Sequence, residues 1–165
     1  MNPRLRRLTA DYETLATAFA GHPYVRVEVA GGSPPDRYRV YYRVWGLHRT
    51  PTNELQRVSL HMVDIQLPAG YPREKPYCTT AAPVFHPNFG AYVCIADLWT
   101  PDRSLVDVVV QIGDMLQFKL FNTGSPLDAV AARWAAENLH LVPVGTAELY
   151  PSEADVALTA RTESA

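Results

Sequence analysis

The sequence predicts an α+β fold: an N-terminal helix, a four-stranded antiparallel meander, an irregular segment and two C-terminal helices. Three observations predict it. The first is an apolar stripe with steps of three and four near the N-terminus. The second is a group of short runs with period-two alternation, separated by Gly, Pro and Asn. The third is a stretch with no period at all, from residue 82 to residue 104, followed by two runs of good helix formers. Strands grouped in the middle with helices at the ends place the helices on one face of a single sheet.

Residues 3–20 read as the first helix, with Leu5, Leu8, Tyr12, Leu15 and Phe19 on one stripe. Pro3 suits the first turn, and Gly21 with Pro23 ends it. Residues 24–29 alternate Val25, Val27 and Val29 against Arg26 and Glu28. Residues 31–36 are turn material, and 38–45 alternate again with aromatic and β-branched side chains. A turn at 50–54 precedes a third strand at 58–67, and a short fourth strand is expected at 77–81. Such short connections favour an antiparallel meander. Residues 105–121 and 127–139 read as the last two helices. One domain is expected over 1–142 and a tail over 143–165, loosely held from Ser152 onward.

Composition removes several classes of function. The formal net charge is -2 and the pI about 6.2, which offers no basic footprint for nucleic acid. The apolar run 105–121 is interrupted by Asp107, Gln111, Asp114, Gln117 and Lys119, so no membrane span is expected. The N-terminal arginines have no apolar run behind them, so no signal peptide is expected; a cytoplasmic location is expected as well. Cys78 and Cys94 are too few for a disulfide framework and lack the spacing of a zinc site, so no metal is expected. A reactive thiol in a reducing compartment is the reading of interest.

The chemistry concentrates between residues 71 and 101: Tyr71-Pro72, Pro76, His86-Pro87-Asn88, Cys94 and Trp99-Thr100-Pro101. In this order and spacing they resemble the E2 ubiquitin-conjugating family, with its UBC fold. The family carries a Tyr-Pro turn, a His-Pro-Asn motif, the acceptor cysteine and a Trp-x-Pro segment. The resemblance covers about residues 3–140. It implies that Cys94 accepts a ubiquitin-like protein as a thioester from an E1-like enzyme and passes it to an amine. ATP is used by the E1 partner, so the chain itself needs no cofactor. It implies that Asn88 is the oxyanion donor or the residue that orders the loop, and that His86 and Pro87 hold that loop. Ser125, before Pro126-Leu127, matches the residue that gates the lysine. It also reads as the cap of a helix starting at Pro126. Asp97 is a supporting acid, offset from the family's position. Trp99 packs near the groove or simply in the core. Arg4, Arg6 and Arg7 form the surface facing the E1, or else a solvated helix face.

Physical chemistry agrees on Cys94. A thiol that accepts and surrenders an acyl group needs access and thiolate character. Cys78, in a predicted strand without a partner motif, reads as a buried inert thiol. The spacings from His86 to Cys94 and from Cys94 to Trp99 are shorter than in eukaryotic family members, and the tail shows no fourth helix. These features resemble compact E2-like proteins encoded beside bacterial E1-like, ubiquitin-like and JAB-type protease genes, some of them linked to antiphage defence. Two rivals belong to other classes. One is a non-catalytic scaffold of E2 shape, against which Cys94 speaks. The other is a cysteine hydrolase, which would need a base and a group to orient it.

Overall fold

The computed structural model describes residues 2–151, with the side chain of Asp97 left out. The expectation of a loose end from Ser152 falls outside the described residues. Helix α1 spans Pro3–Phe19 and is opened by Asn2, whose side chain accepts from the Leu5 N–H at 2.8 Å. It buries Leu8, Leu15 and Phe19 as expected, but Asp11 takes the place that the stripe assigned to Tyr12, which is exposed. Asp11 is tolerated there because it is paired: Arg7 Nε donates to it at 2.9 Å and the Tyr71 hydroxyl at 2.6 Å.

The meander forms as read. Strands β1 (Val25–Gly32), β2 (Pro35–Tyr42), β5 (His61–Gln66) and β6 (Tyr77–Thr80) pair antiparallel in the order β1-β2-β5-β6. β1 runs to Gly32 and β2 starts at Pro35, so the connecting turn is tighter than the 31–36 stretch predicted. Between β2 and β5 the chain makes a separate hairpin, β3 (Gly46–Arg49) with β4 (Leu55–Val58), around the predicted 50–54 turn. The predicted strands 38–45 and 58–67 each lose an end to this excursion. Gly46 marks the departure: a Cβ there would come within 2.8 Å of the His61 ring.

The inner face of the sheet, with Val40, Tyr42, Val63, Ile65 and Cys78, forms one core with α1 and with α2 (Leu105–Leu116). Ser104 caps α2, accepting from Asp107 N–H at 3.1 Å. The Tyr42 hydroxyl donates to the Val109 carbonyl at 2.7 Å, a buried tie between sheet and helix. α2 stops well before Phe121 because Phe118 turns left-handed, with φ 56°, and sends its ring elsewhere. Helix α3 spans Ala129–Glu137. It departs from the one-face expectation, since its Ala131 and Trp134 pack in a second cluster with Leu47, Phe85 and Phe118.

Residues 143–150 cross back over the domain as an extended strap. Leu149 is fully buried in the main core. The Gln117 carboxamide grips Ala147 like a peptide group, accepting from its N–H at 3.0 Å and donating to its carbonyl at 3.1 Å. No helix of the described residues is long and apolar enough to cross a membrane.

Candidate active site

Cys94 lies in the irregular segment, held by its main chain. Its N–H donates to the Asn88 carbonyl at 3.0 Å, and the Val93 N–H to the Cys78 carbonyl at 2.8 Å. Val93 and Ile95 are buried on either side, while Cys94 itself is half-buried. The cysteine opens on a groove of about 210 Å³. Ile95, Met115 and Phe121 give the groove apolar walls, and Asn88, Gln111 and Asn122 supply amides. Cys78 is the opposite case: burial pushes its thiol up to about 12, which leaves it protonated and inert.

His86, Pro87 and Asn88 act as a three-residue clasp on the loop after α2. His86 Nδ1 accepts from the Asn88 N–H at 2.9 Å, and Nε2 faces the Leu120 carbonyl at 3.0 Å. A carbonyl only accepts, so His86 is the neutral tautomer with its proton on Nε2. The ring is fully buried among Phe89, Phe118 and Phe121. Burial pushes its pKa down to about 4 against the opposing Leu120 bond. With both nitrogens committed, His86 organises the loop and is not a base for Cys94. The Pro87 carbonyl accepts from Leu127 N–H at 2.8 Å and Asp128 N–H at 3.1 Å. Asn88 closes the clasp on Asn122, donating from Nδ2 to its carbonyl at 3.0 Å and accepting at Oδ1 from its N–H at 2.8 Å.

The other expected residues sort differently. Ser125 is exposed on the clasped loop and does not cap α3; Asp128 does, accepting from the Ala131 N–H at 3.0 Å. The helix therefore starts at Ala129, beyond the Pro126 start expected. Asp97 lies in the short 3₁₀ turn Ala96–Leu98, and its side chain falls outside the described residues. Trp99 does not line the groove. Its Nε1 donates to the Pro72 carbonyl at 3.2 Å and its ring packs 5.7 Å from Tyr71, so it fastens the segment to the Tyr-Pro turn.

The three N-terminal arginines do not share one role. Arg4 donates to the Pro68 carbonyl at 3.1 Å. Arg7 pairs with Asp11 and donates to the carbonyls of Pro101 and Arg103. Only Arg6 of the three is exposed. Charge reversal at Arg6 is expected to leave thermal unfolding unchanged, whereas Arg7→Glu lowers Tm by several degrees, since breaking a hydrogen-bonded pair costs about 1–3 kcal/mol. Equal Tm values for the two variants in a melting scan would contradict this division.

Sequence reasoning missed Gln111 as a groove residue. Its signal was present: a polar side chain on the face of α2 that carries Val108, Ile112 and Met115, all buried. Among the described residues no cluster of His, Cys, Asp or Glu could hold a metal ion.

The site thus combines a half-buried cysteine, a preorganised loop and a sheet-and-helix frame of UBC type. No family model matches the chain, and no curated protein does. Solved structures do match. The E2 domain of a Toxoplasma gondii ubiquitin-conjugating enzyme is 24% identical, with a TM-score of 0.53 over 84% of this chain and 88% of that one. A Plasmodium yoelii protein assigned as a ubiquitin-conjugating enzyme is 18% identical, with a TM-score of 0.60 over 86% of this chain and 89% of that one. The chain has the fold of the ubiquitin-conjugating E2 domains.

Proposed function

We propose that this chain is an E2-like conjugating enzyme that carries a ubiquitin-like protein as a thioester on Cys94. The observation that supports it best is the placement of Cys94: half-buried, over a groove, beside a loop fixed by His86-Pro87-Asn88, on an E2-type frame. An E1-like enzyme, using ATP, supplies the modifier as its own thioester. The Cys94 thiolate attacks that carbonyl and the E1 thiolate leaves. A lysine amine then attacks the Cys94 thioester, a tetrahedral oxyanion forms, and its collapse forms the amide and expels the Cys94 thiolate. The amine's proton passes to solvent. Ser125, exposed on the clasped loop, and Asp97 are the candidates for orienting the amine. Arg6 belongs to the face offered to the E1. The shortened spacings favour a bacterial modification pathway, with antiphage defence as its setting.

The test needs no E1. Ubiquitin bearing a C-terminal mercaptoethanesulfonate thioester is mixed with the protein, and the products are resolved on non-reducing gels. A covalent band is expected that thiol reductant removes. It is absent in Cys94→Ala and in Cys94→Ser, whose un-ionised hydroxyl has no base to activate it. No band from folded wild-type protein would overturn the acceptor reading and favour a non-catalytic scaffold of E2 shape.

A further inference from the structure

Two carboxamides line the Cys94 groove, and they are not equivalent. The Asn88 amide is spent on the main chain of Asn122, with its oxygen and its nitrogen each engaged there. Gln111 is held from one side only. Its Oε1 accepts from Arg103 Nη1, and the same nitrogen donates to the Leu98 carbonyl at 2.8 Å. An arginine can only donate, so the carbonyl end of Gln111 must face it and the NH₂ end must face away. Among the described residues those amide protons have no acceptor, although Gln111 is only 6% exposed. The nitrogen itself is not sealed in the core, so it is open to an acceptor that enters the groove.

We infer that Gln111 is the amide donor to the thioester carbonyl at Cys94 and to the oxyanion that forms from it, with Arg103 fixing its direction. The inference rests on the thioester reading above. Charge developing on the acyl oxygen needs a donor already in place, and the apolar walls of the groove make such a donor stronger than it would be in water. Gln111 stands on α2, a rigid element whose neighbours Val108, Ile112 and Met115 are buried, so its direction costs no reorganisation. The Arg103 guanidinium at its oxygen draws electron density from the amide and strengthens the N–H donor opposite. Asn88 then serves as a positioning residue, which keeps residues 120–122 against the groove. In the step itself the carbonyl π pair moves onto oxygen as the amine nitrogen bonds to carbon. The pair returns as the C–S bond breaks and Cys94 leaves as thiolate. Gln111 gives and takes no proton.

The decisive variant is Gln111→Glu. It keeps the size of the side chain and its bond to Arg103, so the fold is retained, but it replaces the donor with a negative charge. Protein loaded from the ubiquitin mercaptoethanesulfonate thioester is separated from excess reagent, and discharge onto free lysine is followed. Discharge from Gln111→Glu is expected to be about 100-fold slower than wild type at unchanged or raised Tm. Gln111→Met, which removes the donor without adding charge, is expected to fall by at least about tenfold. A purely structural Gln111 predicts the reverse pattern, with Gln111→Glu indistinguishable from wild type and Gln111→Met lowered in Tm alone. Wild-type discharge rates in both variants would overturn the role of Gln111 while leaving the thioester reading intact. Failure of wild-type protein to load would remove the thioester reading itself.

Discussion

Lowering the pH from about 7 to about 4 is expected to cost this protein about 3 kcal/mol through His86 alone. The sign follows from the site. In the unfolded chain the imidazole titrates near 6.5; in the folded protein burial holds it down to about 4. Between those values the unfolded chain binds the extra proton and the folded one does not. The stability is therefore complete above about pH 7, declines as pH falls through 6.5, and levels off below about 4. The geometry gives the reason. Nδ1 accepts from the Asn88 N–H, and a proton on Nδ1 would set two donors 2.9 Å apart in a fully buried ring pocket. His61, also lowered chiefly by burial, acts in the same direction. Asp11 and Asp114, raised chiefly by burial, oppose it, but from 3.8 upward. Urea unfolding across this range measures the slope. His86→Gln is expected to be less stable at pH 7 and to show a shallower pH dependence. Parallel curves for variant and wild type would show that the acid sensitivity arises elsewhere.

Leu149→Ala is expected to destabilise the domain by about 2–5 kcal/mol, the range for emptying a fully buried leucine site. Its partner in the core is Gly113, in the middle of α2. A Cβ on Gly113 would overlap Leu149 Cδ1 and come within 2.9 Å of the Tyr42 ring. In the wild-type background Gly113→Ala should therefore destabilise by about 1–3 kcal/mol, because overpacking outweighs the roughly 1 kcal/mol that alanine gains over glycine in a helix. With Leu149→Ala the overlap with the leucine is gone, part of the cavity is filled, and the cost of Gly113→Ala should shrink or reverse. Denaturant unfolding of the four members of this cycle gives the coupling. Additive effects would mean that the strap yields freely and does not seal the core.

The parts of this molecule that could be read in the sequence are those with local periodicity. α1 and the four-strand meander announce themselves through spacing, because each buries one face. The β3–β4 hairpin did not. Its strands are four residues long, and the alternation of β2 continues through Val44 after the chain has left the sheet. The early end of α2 was hidden because Phe118 adopts a positive φ, which sequence assigns to glycine or asparagine. The strap was hidden because its contacts are long-range: Gln117 and Lys119 hold Ala147, and Leu149 enters the main core. For the site, the motif pointed to Cys94, His86, Pro87 and Asn88, but their geometry gave them distinct duties. The hydrogen bonds of Arg4 and Arg7 to main-chain carbonyls were not legible, because a charge run says nothing about which carbonyls lie within reach. Gln111 was visible as a polar residue on an apolar face; what it was bonded to was not.

Arg7 has one further consequence. It joins α1 to the stretch just beyond the cysteine, through the carbonyls of Pro101 and Arg103, and Arg103 in turn reaches Gln111 and Leu98. A continuous run of hydrogen bonds from two arginines thus joins the first helix to the groove. A visitor that gripped Arg6 would leave this run taut. One that drew Arg7 outward would slacken it and would loosen the groove from a distance, and a groove stiffened by its occupant would resist that pull by the same free energy.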